Sequence, residues 1–181
     1  MINIDPSNSK FSNTELASFT KKIGYKLPND YVKFLKKYNG GYVINSYSSY
    51  YKNGEQKFIL NNIFGLGLES NTDLASQYKI FKDRIPNTCI PVARDVGGNL
   101  VVMNLSDKKY GYILFWDHEE ELEVKKGNMT INSLYPIAHS FSDFLKTIEL
   151  DINETETNDY KVKKVWIDTD FLKELENNTD K

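Results

Sequence analysis

The tripeptide Asn39-Gly40-Gly41 separates two hydrophobic periods, and that change constrains the fold more than any other feature of the chain. Before it, apolar residues recur at helical spacing; after it, they recur at period two or in short runs between turn residues. A chain read this way builds helices first and a meander of antiparallel strands after them.

The helical half carries its own punctuation. Phe11-Ser-Asn-Thr-Glu-Leu16 has the form of a capping box: Ser12 caps, Glu15 reaches back, and Phe11 and Leu16 occupy the staple positions. Leu16, Phe19 and Ile23 form the buried stripe of this helix, and Gly24 ends it. Pro28 suits the first position of a second helix, Asn29 and Asp30 its positive end, and Lys36 and Lys37 its negative end. Tyr31, Phe34, Leu35 and Tyr38 then face inward.

Beyond Gly41 the spacing predicts strands over residues 42–45, 57–60 and 63–66, with the Ser/Tyr-rich residues 46–51 and Lys52-Asn-Gly-Glu55 as a hairpin connection. A third helix is expected from Asp73 to Phe81, capped by Thr72. Strands resume over 90–93, 99–105, 112–117 and 122–124, and Ser140 opens a last core helix carrying Phe141, Phe144, Leu145 and Ile148. Residues 151–159 read as a polar, acidic linker. Residues 160–181 hold a strand-like stretch over 162–167 and a short helical one over 170–176. Trp166, between the apolar Val165 and Ile167, is expected to staple this last stretch back onto the preceding elements.

Arg94-Asp-Val-Gly-Gly-Asn99 could be read as a phosphate-holding loop, but such a loop needs a strand feeding a helix. The apolar, β-branched residues 100–105 follow instead, so the glycines read as the bend of a hairpin, where positive φ angles are needed.

The net charge of −2 in 181 residues lacks the basic excess of a general nucleic-acid binder. A single cysteine, Cys89, excludes an internal disulfide, and no leader or long apolar run stands out; a cytoplasmic protein that does not engage membranes is expected. The stretch Asp117-His-Glu-Glu-Glu-Leu-Glu123 reads either as a solvated turn at a strand end or as an acidic rim that meets a basic partner. Strand alternation scatters its ligands, and His139 is the only other histidine, so no metal site is expected. No Gly-x-Ser-x-Gly elbow is present, and a thiol enzyme would have to bring Cys89, His118 and Asp95 together in space. No catalytic residue, metal ligand or cofactor is nominated. Tyr42, Tyr47, Tyr50 and Tyr51 form a tyrosine-rich region, part core and part candidate anchor for a protein partner.

Four segments in this order, "IGYKLPNDYVKFLKKYNGGYV" (23–43), "IPVARDVGGNLVVMNL" (90–105), "GYILFWDHEEE" (111–121) and "IAHSFSDFLKTI" (137–148), resemble the SUKH superfamily of bacterial immunity proteins and yeast cell-wall synthesis regulators. The resemblance covers about residues 10–150, which sets the expected domain there and leaves 151–181 outside it. It implies an α+β fold with helices packed beside a curved antiparallel sheet, and a non-enzymatic immunity protein whose partner is a cognate protein toxin, often a nuclease, with an intracellular scaffold or regulatory adaptor as the other function hosted by this fold. The partner surface is expected on Tyr47, Tyr50 and Tyr51 together with Asp117, Glu119, Glu120, Glu121 and Glu123.

Overall fold

A computed structural model describes residues 4–7, 9–122, 130 and 133–150. Strand β1 (Ile4–Pro6) precedes the helices α1 (Asn13–Ile23) and α2 (Asn29–Tyr38). Then come β2 (Gly41–Val43), β3 (Ser46–Tyr51), β4 (Glu55–Ile63), α3 (Leu74–Phe81), β5 (Cys89–Asp95), β6 (Leu100–Asn104), β7 (Ile113–Trp116), β8 (Tyr135–Ala138), α4 (Phe141–Thr147) and β9 (Glu149–Leu150). Every strand pairing is antiparallel, so the α+β expectation holds. Short 3-10 turns occupy Asp107–Lys109 and Glu119–Leu122.

The helix signals translate directly. Ser12 caps α1, accepting from the Glu15 amide at 3.3 Å. Glu15 does not complete the box by reaching back; its carboxylate lies against the bare α-carbon of Gly67, where any side chain would collide. Gly24 ends the helix in the left-handed region at φ 76°. Helix α2 starts one residue later than read, with Pro28 at the cap, and buries Tyr31, Phe34, Leu35 and Tyr38. Tyr31 and Phe34 pack on Phe141 of α4 at ring distances of 4.6 and 5.0 Å. Asp30 ties the same two helices together, accepting from the Ser142 amide at 2.9 Å, one of the donors that a helix's first turn leaves unpaired.

The tripeptide that divides the chain also joins its halves. Asn39 sits at φ 48°, buried, with Oδ1 accepting from the Leu66 amide at 2.9 Å and Nδ2 donating to the Leu66 carbonyl at 2.8 Å. Its own carbonyl fills the space that a side chain on Gly65 would need, and Gly41 leaves the same kind of room for the backbone of Asp5. Glycine is required here by close approach as much as by turning.

The sheet runs β1-β2-β4-β5-β6-β7-β8, with β3 on the outer half of β4 and β9 beyond β3. Register shifts interrupt the β4–β5, β5–β6 and β7–β8 ladders. Each inserted residue bends its strand and tightens the twist, so the sheet curls. As a result Tyr50 of β3 reaches Tyr135 of β8 at 5.5 Å although the two strands share no ladder, and the sheet stays open. All residues of β6 and β7 are buried. On β7, Trp116 meets Phe81 of α3 edge-on at 5.7 Å, and Phe115 stacks on Tyr50 at 4.1 Å; adjacent residues of a strand point to opposite faces, so α3 covers one face and the curled hairpin the other.

Other readings are corrected as well. The strands expected over 57–60 and 63–66 are one strand, β4, which ends at Ile63. Residues 46–51 form a strand, because Ser46 and Ser48 are buried and the Ser48 hydroxyl lies 2.7 Å from that of Thr147. Asp73, not Thr72, caps α3: its carboxylate accepts from the amides of Ser76 at 2.8 Å and Gly67 at 2.9 Å, two demands that one hydroxyl cannot meet. Residue 122 belongs to a 3-10 turn instead of a strand, while 123, 124 and the elements expected within 151–181 lie outside the described residues.

Asn39→Ala removes both bonds to Leu66 and forces alanine into the left-handed region. It is expected to cost roughly 3 kcal/mol of unfolding free energy, read from the shift of a urea transition at constant m-value.

Candidate functional site

The curl brings the two expected patches together at one end of the sheet. Lys52, which follows β3, pairs with Glu120 of the acidic turn, and the other oxygen of Glu120 accepts from the Tyr135 hydroxyl at 2.6 Å. The Lys52 ammonium also lies 4.9 Å from the centre of the Tyr135 ring. The Glu120 carboxyl is held below its ordinary range, first by the Lys52 hydrogen bond and then by that of Tyr135. The Tyr50 hydroxyl is pushed up by burial first and by the Asp117 carboxylate next.

The sequence-predicted residues therefore separate by availability. Tyr50 is half-buried against Phe115, Phe58 and Tyr135, and Glu120 is engaged with Lys52 and Tyr135. Tyr47 bonds Glu149, and the Lys57 ammonium lies 4.1 Å from the centre of its ring. Tyr51 is 65% exposed, and Glu119 is exposed as well. Asp117 caps the turn, accepting from the Glu119 amide at 3.0 Å. Glu121 belongs to the backbone of the turn, and Glu123 lies outside the described residues.

A third loop, not nominated from the sequence, belongs to this end. The Asp95 carboxylate accepts from the Asn99 amide and from its side chain, both at 2.7 Å, closing the hairpin between β5 and β6. Asn99 Oδ1 in turn accepts from the backbone of His118 at 3.1 Å and lies 2.6 Å from its Nδ1, so that Nδ1 is the donor. The glycine-rich bend is the hairpin that its context predicts, and it also clamps the acidic turn. At its tip Val96 is 63% exposed beside Ile59, which is 48% exposed. Ile59 could have been found from period two, since its neighbours Phe58 and Leu60 are the buried ones.

Cys89, 1% exposed at the start of β5, has its thiol pushed up to about 12 by burial, and its sulfur meets Asn104. Asp95 ends the same strand, six residues away, or roughly 20 Å at strand rise. Cys89, His118 and Asp95 thus form no triad. Among the described residues no group of three or more His, Cys, Asp or Glu side chains could hold a metal ion, and no helix is long and apolar enough to cross a membrane.

Comparison with known proteins matches residues 10–147 to the SMI1 / KNR4 family (SUKH-1). The chain is also similar to the SPbeta prophage-derived uncharacterized protein YokK of Bacillus subtilis (strain 168). The two are 30% identical over 177 residues, covering 89% of this chain and 86% of the relative.

Two measurements test the geometry. Tyr50→Ala is expected to cost about 2 kcal/mol, because a stacked, half-buried ring is lost, whereas Tyr51→Ala stays within about 0.5 kcal/mol of the parent. The Glu120 carboxyl, followed by side-chain NMR, is expected to titrate below 4.5, its ordinary value. A depressed folded value means that its contribution to stability is complete above the unfolded value and is lost as the pH falls through the folded one. Lys52→Met should return the titration toward 4.5.

Proposed function

Because the chain belongs to the SMI1 / KNR4 family (SUKH-1), we propose that it is an immunity protein that binds a cognate bacterial toxin and neutralises it by occlusion, without catalysis of its own. On this reading residues 10–150 are the binding domain, and 151–181 are a polar linker and an extension that packs on it. The protein works in the cytoplasm, where its partner would otherwise act.

The observation that carries the reading is the union of the tyrosine strand and the acidic turn at one end of the sheet, through Lys52, Glu120 and Tyr135. Exposed aromatic and carboxylate groups held by a rigid scaffold suit recognition: rings supply contact area at small entropic cost, and carboxylates speed encounter with a basic partner. A nuclease's substrate groove is such a partner. Within the expected surface, Tyr51, Asp117 and Glu119 are the residues for contact, while Tyr50 and Glu120 position them.

Co-expression with the product of a neighbouring toxin gene tests the proposal. The parent chain restores growth and co-purifies with the toxin. Tyr51→Ala combined with Asp117→Asn and Glu119→Gln weakens binding about tenfold or more while the protein still melts cooperatively. Lack of rescue, with no toxin gene alongside, favours the scaffold or adaptor reading instead.

A further inference from the structure

Resting on that reading, we infer that the energetic centre of the interface is an apolar row, Tyr47 of β3, Ile59 of β4 and Val96 in the turn after β5. Its occupant is the apolar knob of a protein surface with a basic rim.

Tyr47 and Ile59 are direct partners in the β3–β4 ladder, so their side chains share a face. Leu60 pairs with Asp95, and the Val96 amide donates to the Ile59 carbonyl at 3.0 Å, which sets Val96 opposite Ile59 on its other side. Leu60 and Asp95 are buried at 1% and 5% exposure, so Ile59 and Val96 take the opposite, outer face, as their own exposures of 48% and 63% confirm. Adjacent strands lie nearly 5 Å apart, so the row spans roughly 10 Å, the width of one inserted side chain. Two exposed aliphatic side chains beside the half-buried ring of Tyr47 make a docking platform and not a folding core.

Charge identifies the occupant. Beyond Tyr47 lies Glu149, and along the hairpin Glu55 accepts from the Ser49 hydroxyl at 2.7 Å. On the Val96 side the bend clamps the turn bearing Asp117 and Glu119 through Asn99 and His118. Lys57, whose ammonium lies 4.1 Å from the centre of the Tyr47 ring, stands on this face too, and Glu149, Glu55, Asp117 and Glu119 outnumber it. An excess of carboxylates around an apolar row repels phosphates, which disfavours a nucleic acid or an anionic membrane, and matches lysines or arginines around an apolar knob. Clamping fixes the distance between Val96 and the acidic turn before binding, so little entropy is lost on ordering them.

The test uses the full chain and the toxin encoded beside its gene, in a catalytically inactive form, with calorimetry for affinity and stopped flow for association. Ile59→Ser with Val96→Ser should weaken binding roughly 30-fold or more, mainly by faster dissociation, with an unchanged melting transition. Glu55→Gln with Glu119→Gln should instead slow association, an effect that salt abolishes in the parent. Separately, Ile59→Cys should react with a maleimide at the rate of an exposed thiol in the free chain, against a silent background because Cys89 is buried, and the toxin should slow it. Toxin binding that survives the serine pair within twofold overturns the inference and leaves the immunity reading standing. No toxin binding by the parent sinks both. A shielded thiol in the free chain also overturns this occupant: with doubled mass the row is held by a second copy, and in a monomer by residues 151–181.

Discussion

The architecture depends on one constraint: strands β6 and β7 are apolar along both faces and must be covered twice. Phe115 and Trp116, neighbours on β7, are 2% and 1% exposed although they point in opposite directions. Helix α3 meets Trp116 through Phe81 on one face. On the other, no helix supplies Phe115 with its stacking partner; β3 and β4 curl over until Tyr50 and Phe58 reach it. Sheet curvature, with a register shift in three of its ladders, is thus a consequence of where the apolar residues lie.

That curl also decides what can serve as a surface. Folding the β3–β4 hairpin over β7 carries its tip to the end of the sheet where β5 turns into β6 and β7 runs into the acidic turn. Three segments far apart in sequence, around residues 51, 96 and 119, meet there and are pinned by Lys52 with Glu120, Tyr135 with Glu120, and Asn99 with His118. These polar links are partly exposed, and pairs of that kind contribute little to stability. Their effect lies in geometry, since they hold loops in register.

Much of this was legible from residue spacing. The caps Ser12 and Ser140 and the stripes of α1, α2 and α4 follow from helical period, and the hairpin at Asp95 follows from glycines between apolar runs. What escaped was set by tertiary contact. Strand β8 has no period to detect: Tyr135 is half-buried, Pro136 exposed and Ile137 half-buried, because its place is the sheet's edge. Strand β3 hides behind its serines, which read as loop but fit the tight space beside Thr147. For the site, the tyrosines and acids could be named, but not which were already engaged. Tyr50 and Tyr51 are adjacent and chemically identical; only the direction of the pleat makes one a packing residue and leaves the other exposed.

The division between such neighbours bears on which positions the fold itself constrains. The inward set, Tyr50, Phe58 and Phe115, is bound by mutual packing, and a change at one is felt by all. The outward set, Tyr51, Ile59 and Val96, alternates with or adjoins buried residues along the same strands and packs on no core neighbour that would resist substitution. Surface chemistry can therefore change at those positions while Asn99, Lys52 and Tyr135 keep the loops where they are. Period two is thus the physical means by which residues that fix the shape are kept apart from those that face solvent.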